Sequence, residues 1–194
     1  EDINLLDDLG IRAFRFSIEW SRIEPQEGQY DLSEINHYVD KSKLLLEKNI
    51  TPIVTFHHFT TPEWLMNDGL WASEKISTAF VNYVDVMMQH LPEEIEFFNT
   101  INEPGIFSMF GYLSKRNFPP GIQNEKLFIK ASNNIISAHQ QAIKVIKDHN
   151  PKAKVAMTHA LHEWDDNDSS LQKEYIKYHM EDKFLYASKD DDYI

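Results

Sequence analysis

The sequence predicts an α/β chain, a (β/α)8 barrel present only in part, and three observations carry that prediction. The period of the apolar residues switches repeatedly between strand-like and helix-like, the mark of successive βα units. Predicted strands begin near Ile11, Thr51, Ile95 and Lys154, and the spacings of 40, 44 and 59 residues suit βα units with one enlarged loop. The 194 residues, 42% hydrophobic and 12% aromatic, can bury one core. They fall short of the roughly 250 residues of a closed barrel. Residues 1–194 therefore read as one partial barrel domain, without internal repeat, low-complexity tract or interdomain linker.

Each element has its own signal. Ile3, Leu5, Leu6 and Leu9 make a short helical stripe closed by Gly10, a good helix terminator. Residues 12–20 read as the first strand, with Phe14, Phe16, Ile18 and Trp20 on one face and Ala13, Arg15, Ser17 and Glu19 on the other. That split suits an apolar outside under helices and a polar lumen. Asp31 and Glu34 have capping-box spacing, and Ile35, Val39, Leu45 and Leu46 continue a helix to Lys48. Residues 51–59 form the second predicted strand. From Ile76, the residues Phe80, Tyr83, Val84, Met87, Met88 and Leu91 recur at helical spacing as far as Pro92, a packing stripe rather than a cofactor box.

The third predicted strand is 94–101. A helix carrying Ala131, Ile135, Ala138, Ala142, Val145 and Ile146 ends before Pro151, and a fourth strand covers 154–161. The enlarged loop, residues 105–123, holds Phe107, Met109, Phe110, Tyr112, Phe118 and Pro119-Pro120. Such a loop suits either a binding platform at the barrel mouth or a small core of its own. The acidic tail, residues 189–194, reads as a frayed end or as a turn leading into a further strand.

Composition excludes some functions. Asp and Glu outnumber Lys and Arg by 31 to 19, and a net charge of -12 repels phosphate backbones and anionic membrane surfaces, so neither nucleic acid nor a membrane is an expected partner. With no cysteine, disulfides and thiolate metal sites are ruled out. No apolar run approaches the roughly 18 residues of a membrane span. The start Glu1-Asp2-Ile3 has neither an initiator Met nor a signal pattern, so a cytoplasmic location is favoured and the true N-terminus is expected upstream. His57 and His58 invite a metal reading, but neighbouring side chains on a strand point to opposite faces. His159, His162 and Glu163 lack the helical setting of a zinc protease motif, and no metal is expected. Trp20, Trp64, Trp71 and Trp164 suit either ligand stacking or core filling.

The run Thr100-Ile101-Asn102-Glu103-Pro104 places a carboxylic acid beside a carboxamide where a buried strand ends. In a barrel, side chains that do chemistry sit at the carboxyl ends of strands, and that setting sets Glu103 apart from an ordinary turn glutamate. Arg15 lies among the polar residues of the first strand, where a buried guanidinium needs a carboxylate. A structural arginine with a buried partner is the other reading.

Three ordered stretches together resemble glycoside hydrolase family 1, the retaining β-glycosidases. Phe14-Arg15-Phe16-Ser17-Ile18-Glu19-Trp20-Ser21-Arg22-Ile23 is similar to the family's barrel strand 2 segment, and Thr55-Phe56-His57-His58-Phe59-Thr60-Thr61-Pro62 to its strand 3 motif, with Phe59 where Trp is usual. Thr100 through Pro104 matches its Thr-x-Asn-Glu-Pro motif on strand 4. The resemblance implies that the chain covers about strands 2 to 5, and that the activity is hydrolysis of β-linked glucosides or galactosides with retention, without a cofactor.

On that resemblance Glu103 is the general acid and base, and Asn102 hydrogen-bonds the 2-hydroxyl of the reacting sugar. His58 contacts the glycone, Phe59 stands beside it as a substrate-binding residue, and Arg15 orients the nucleophile. The nucleophile belongs to a Thr-Glu-Asn-Gly type motif near strand 7 that these 194 residues do not contain. Ala160 stands near where strand 5 often has Asn. The implied partners are a β-linked glycoside and a C-terminal barrel half supplying strands 6 to 8, and the isolated chain is expected to be inactive. A 6-phospho-β-glycosidase and a retaining enzyme of a neighbouring family stay open as alternatives. So does a catalytically inactive sugar-binding module, because a fold does not dictate an activity. Both outer strands of such an arc are expected to expose unpaired edges.

Overall fold

Four parallel strands lie side by side in sequence order in the computed structural model, which describes residues 2–114, 118–165 and 170–192. Helix α1 (Asp2–Asp8) precedes strand β1 (Ala13–Ser17), and helices α2 (Trp20–Ile23) and α3 (Leu32–Glu47) lead to β2 (Thr51–His57). Two 3-10 turns, Glu63–Asp68 and Leu70–Ala72, and helix α4 (Ile76–Met88) connect to β3 (Phe97–Asn102). Helices α5 (Pro104–Tyr112) and α6 (Glu125–His149) connect to β4 (Lys154–Thr158), after which come α7 (Leu171–Lys177), a π-helical turn (Tyr178–Asp182) and α8 (Lys183–Ala187). Parallel strands taken in order with helical crossovers are the repeating unit of a (β/α)8 barrel, and the sheet is an arc of one.

Register turns the alternating sequence pattern into two faces. Phe16, Val54, Phe98 and Val155 pair in one row across all four strands, and every one is buried. The next row, Ser17, Thr55, Asn99 and Ala156, points the other way, and there Asn99 Nδ2 donates to Thr55 Oγ1 at 3.3 Å. The apolar face carries the core. Helices α3, α4 and α6 cover it with Ile35, Leu45, Phe80, Met87, Ile135 and Ile146, all fully buried. Trp20 stacks on Tyr83 with ring centres 5.2 Å apart, and the Tyr83 hydroxyl donates to Phe56 O at 3.1 Å, so the buried phenol is not left unpaired.

The helix starts follow the capping signals in part. Asp31 accepts from the backbone N–H groups of Ser33 and Glu34. Glu34 does not reach back to complete the box, because Ile23 O takes the Asp31 N–H at 2.8 Å and Arg22 takes the Glu34 carboxylate at 2.8 Å. Asn124 caps α6 through Leu127 N at 3.1 Å, and α6 stops at His149, two residues before Pro151.

Several sequence expectations are corrected. The strand read over 12–20 ends at Ser17, because the chain coils into α2, where Trp20 Nε1 donates to Glu24 Oε2 one helical turn on. The strand read over 51–59 ends at His57, and Phe59 has a φ of 75°, outside any strand geometry. The third strand starts later than expected, at Phe97, and runs on to Asn102, while the fourth stops at Thr158. The stretch read as the loop 105–123 is helical as far as Tyr112. Pro104 occupies the first helical turn, where its missing N–H costs nothing, and Phe107 and Tyr112 are buried, so these aromatics pack a helix rather than a loop. Residues 115–117 of that stretch lie outside the described residues.

The acidic tail is not frayed over its described part. Asp192 Oδ2 accepts from Val155 N at 2.8 Å, Asp191 Oδ2 from Met157 N at 2.9 Å, and Asp192 N donates to Val155 O at 3.1 Å. The tail thus occupies the outer edge of β4, and the expectation that both sheet edges stand open is corrected there. Tyr193 and Ile194 lie outside the described residues.

Candidate active site

The carboxyl ends of the four strands bring together residues that are far apart in sequence. β3 ends at Asn102, and the next residue, Glu103, turns into the left-handed region with φ 45° and ψ 61° before Pro104 opens α5. A residue with a Cβ holds that conformation at a cost of about 1 to 2 kcal/mol, so the surroundings must impose it. Two backbone bonds do so in part. Glu103 N donates to Thr158 O at 2.8 Å, and Glu103 O accepts from Phe107 N at 3.0 Å. Although Glu103 stands at the N-cap of α5, its side chain makes no capping hydrogen bond, which leaves the half-buried carboxyl group free of backbone duty.

Arg15 ties three strands together over the polar face. Its Nη2 donates to Asn102 Oδ1 in a short hydrogen bond, and its Nη1 donates to Thr158 Oγ1 at 3.0 Å. Asn102 is buried, and this grip orients its amide with the NH2 group uncommitted. Arg15 itself is exposed, and among the described residues no carboxylate pairs with it.

His58, the residue after β2, joins the same cluster. Its Nδ1 shares a hydrogen bond with Ser17 Oγ at 3.1 Å. Partial burial lowers its pKa, the positive charge of Arg15 lowers it further, and the carboxylates of Glu103 and Glu19 act in the opposite sense. The ring is therefore neutral at pH 7, and it feels both Arg15 and Glu103. His57 lives elsewhere. It is buried, its Nε2 accepts from Trp71 Nε1 at 3.2 Å and lies 3.1 Å from Thr61 Oγ1, and its ring packs edge-on to Phe107. Burial, helped by the neighbouring His58, pushes its pKa down to about 3.

Phe59 meets His58 edge-on at 4.9 Å and lies parallel to Phe107 at 6.3 Å. It lines a cavity of about 460 Å3 with Thr61, Glu63, Met66 and Phe118. The structure thus groups Arg15, His58, Asn102 and Glu103 and sets Phe59 at their border. Sequence reasoning missed Ser17 and Thr158 as members. Ser17 was visible as one of the polar residues of the first strand, whereas nothing marked Thr158 beyond its place near a strand end.

The other candidates have separate duties. His159 Nε2 is 3.1 Å from Ser188 Oγ, and His162 and Trp164 both bond to Glu181. Among the described residues no group of three or more His, Asp or Glu side chains is arranged to hold a metal ion. Trp20 and Trp71 are core residues, and Trp64 Nε1 donates to Glu24 O at 3.0 Å. No helix is long and apolar enough to cross a membrane among the described residues. In chemical terms, a carboxyl group, a fixed carboxamide and a neutral imidazole on one rim can donate to and accept from hydroxyl groups while one proton moves.

The sequence profile of Glycosyl hydrolase family 1 matches residues 1–187. Beta-glucosidase A of Acetivibrio thermocellus is 30% identical over 158 residues, which cover 81% of this chain and 35% of that protein. A 6-phospho-beta-galactosidase of Staphylococcus epidermidis is 36% identical over 163 residues, covering 82% and 34% respectively. Among solved structures, a beta-glycosidase from Pyrococcus horikoshii superposes with a TM-score of 0.85 at 32% identity, over 96% of this chain and 44% of that one. The beta-glucosidase from Thermotoga maritima in complex with deoxynojirimycin gives a TM-score of 0.85 at 27% identity, over 92% and 41%. The chain spans about a third of the length of the curated relatives it matches.

Proposed function

The chain belongs to glycosyl hydrolase family 1, and from that premise we propose that the protein containing it hydrolyses β-linked glycosides with retention of configuration. The observation that carries this reading is the placement of Glu103. It stands at a strand's carboxyl end on a left-handed backbone, with no capping duty, next to an asparagine gripped by Arg15. Glu103 gives its proton to the glycosidic oxygen as the bond to the anomeric carbon breaks and a second carboxylate attacks that carbon. In the second step Glu103 takes a proton from the water that displaces the enzyme carboxylate, which restores both groups.

The second carboxylate comes from outside these residues and lies about 5 to 5.5 Å from Glu103, the separation that a retaining mechanism requires. Arg15 orients it with the guanidinium edge not engaged by Asn102 and Thr158. Asn102 donates its NH2 group to the sugar's 2-hydroxyl, His58 contacts the glycone, and Phe59 packs on the substrate beside it. No cofactor takes part, and the remaining barrel strands are supplied by sequence beyond these residues.

In the full-length enzyme, Glu103→Gln is expected to lose about 10² to 10⁴ in kcat/KM on glycosides with poor leaving groups and much less on activated ones, which depart without an acid. Added azide should restore turnover of activated substrates, because it attacks the intermediate without a general base. Wild-type rates for Glu103→Gln on an alkyl glycoside would remove the assignment. A protein that binds sugars and turns over no glycoside would be the inactive module instead. A second reading, a 6-phospho-β-glycosidase, is supported by the 36% identity to the staphylococcal 6-phospho-beta-galactosidase. Comparing kcat/KM on a β-galactoside and its 6-phosphate separates the two.

A further inference from the structure

Gly105, in the first turn of α5, is buried, and no side chain fits there. A Cβ at this position would overlap the carbonyl oxygen of Met180 and lie 2.7 Å from its carbonyl carbon and 3.0 Å from its Cα. Met180 belongs to the π-helical turn Tyr178–Asp182, in which Lys183 N–H reaches back five residues to Tyr178 O. Turns of this kind are rare and are frequent at functional sites. This one has two contacts with the candidate site's surroundings. It sets the Met180 backbone against α5 two residues after Glu103. It also presents Glu181, 5% exposed, to the segment that follows β4.

The Glu181 carboxylate is fully engaged there. Oε1 accepts from His162 N at 2.8 Å and lies 2.7 Å from His162 Nδ1, and Oε2 accepts from Trp164 Nε1 at 2.9 Å. Buried charge-assisted bonds of this sort fix geometry more firmly than neutral ones. One turn therefore braces two segments at the carboxyl end of the sheet, the helix that follows Glu103 and the loop that follows β4.

We propose that Gly105, Met180 and Glu181 form a positioning device that sets where the Glu103 carboxyl group stands relative to the substrate. This rests on the reading of Glu103 as the acid. Glu103 keeps its left-handed backbone only while its neighbours over-determine it. Upstream, the bond to Thr158 fixes its N–H. Downstream, the height of α5 above the sheet is set where the glycine meets the Met180 carbonyl, and a side chain there must push the helix or the turn away. A displacement of about 1 Å at a proton-transferring group costs about 10²-fold in rate.

In the full-length enzyme, Gly105→Ala is expected to lower kcat/KM about 10²-fold on glycosides with poor leaving groups and less than about tenfold on activated aryl glycosides. The dependence on leaving-group pKa steepens, and the pH–rate limb that reports the acid shifts. Glu181→Gln keeps the shape but cannot accept from every donor, and it is expected to give the same signature at about 3- to 10-fold. Should Gly105→Ala fail to fold, Glu181→Gln carries the test. Equal losses on both substrate classes, or no loss in either variant, overturn the positioning role. Glu103→Gln measured alongside keeps the two readings apart. If it alone shows the leaving-group signature, only the positioning device fails, and if it lacks the signature the acid assignment has failed and the device with it.

Discussion

His57 and His58 are adjacent in sequence and opposite in environment. His57 is sealed beneath Trp71 and Phe107, while His58 is more exposed and shares a hydrogen bond with Ser17, its pKa lowered by partial burial and then by Arg15. Strand alternation predicts opposite surroundings for such a pair, but β2 ends at His57, and it is the turn beyond the strand that carries His58 toward Ser17. What alternation could not show is how Phe59 leaves the strand through a positive φ and swings its ring onto Phe107. In the full-length enzyme His58→Ala is expected to lower kcat/KM for a fixed glycone by about 1 to 3 kcal/mol, the worth of a lost polar contact to sugar. His57→Ala should instead lower the melting temperature, since it empties a packed site and leaves the Trp71 N–H without its nitrogen acceptor. A larger kcat/KM loss at His57 than at His58, with both variants folded, would reverse the facing of the two rings.

Elements with a long, regular pattern were legible, and those set by distant partners were not. Helix α6 could be read from its stripe and from Pro151, and β1 from its alternation, because those signals lie within the segment itself. Helix α5 could not. Its apolar residues crowd a stretch with glycines and prolines, and what makes it a helix is the burial of Phe107 and Tyr112 together with the fit of Gly105 to the Met180 carbonyl, a contact 75 residues away in sequence. Glu103, Asn102 and Arg15 could be singled out as candidates because they stand in recognisable runs, whereas Thr158 joins their cluster only through the fold.

The edge of β4 was likewise hidden, because it depends on Asp191 and Asp192 folding back. Asp191 serves two buried donors at once, Met157 N and His139 Nε2, and His139 Nδ1 in turn lies 2.7 Å from Thr100 Oγ1. Asp191→Ala leaves both donors unpaired and is expected to destabilise the fold by about 2 to 4 kcal/mol in denaturant unfolding. A loss below about 0.5 kcal/mol, the scale of an ordinary surface change, would show that the tail does not hold that edge.

At the scale of the whole molecule the two sides of the sheet differ. On the β4 side the tail's carboxylates and one backbone bond occupy Val155 and Met157, the outward-facing positions. On the β1 side the pairing of Thr51 N with Arg12 O and of Ile18 N with Thr55 O fixes the parity of the strand, so the backbone groups of Ala13, Arg15 and Ser17 face outward. Such a row is a template for another strand, and a closed barrel would satisfy it. The isolated 194-residue chain is therefore expected to self-associate at about 0.1 mM, and to do so through β1. Ala13→Pro tests the route. Proline there removes an outward N–H without breaking a ladder bond to β2, as edge positions allow, and it should shift the chain toward monomer in sedimentation while leaving its circular dichroism unchanged. Association that persists unchanged in Ala13→Pro would place the contact elsewhere. A wild-type chain that sediments as a monomer and unfolds in one cooperative transition would show that the four-stranded arc is self-sufficient with β1 uncovered.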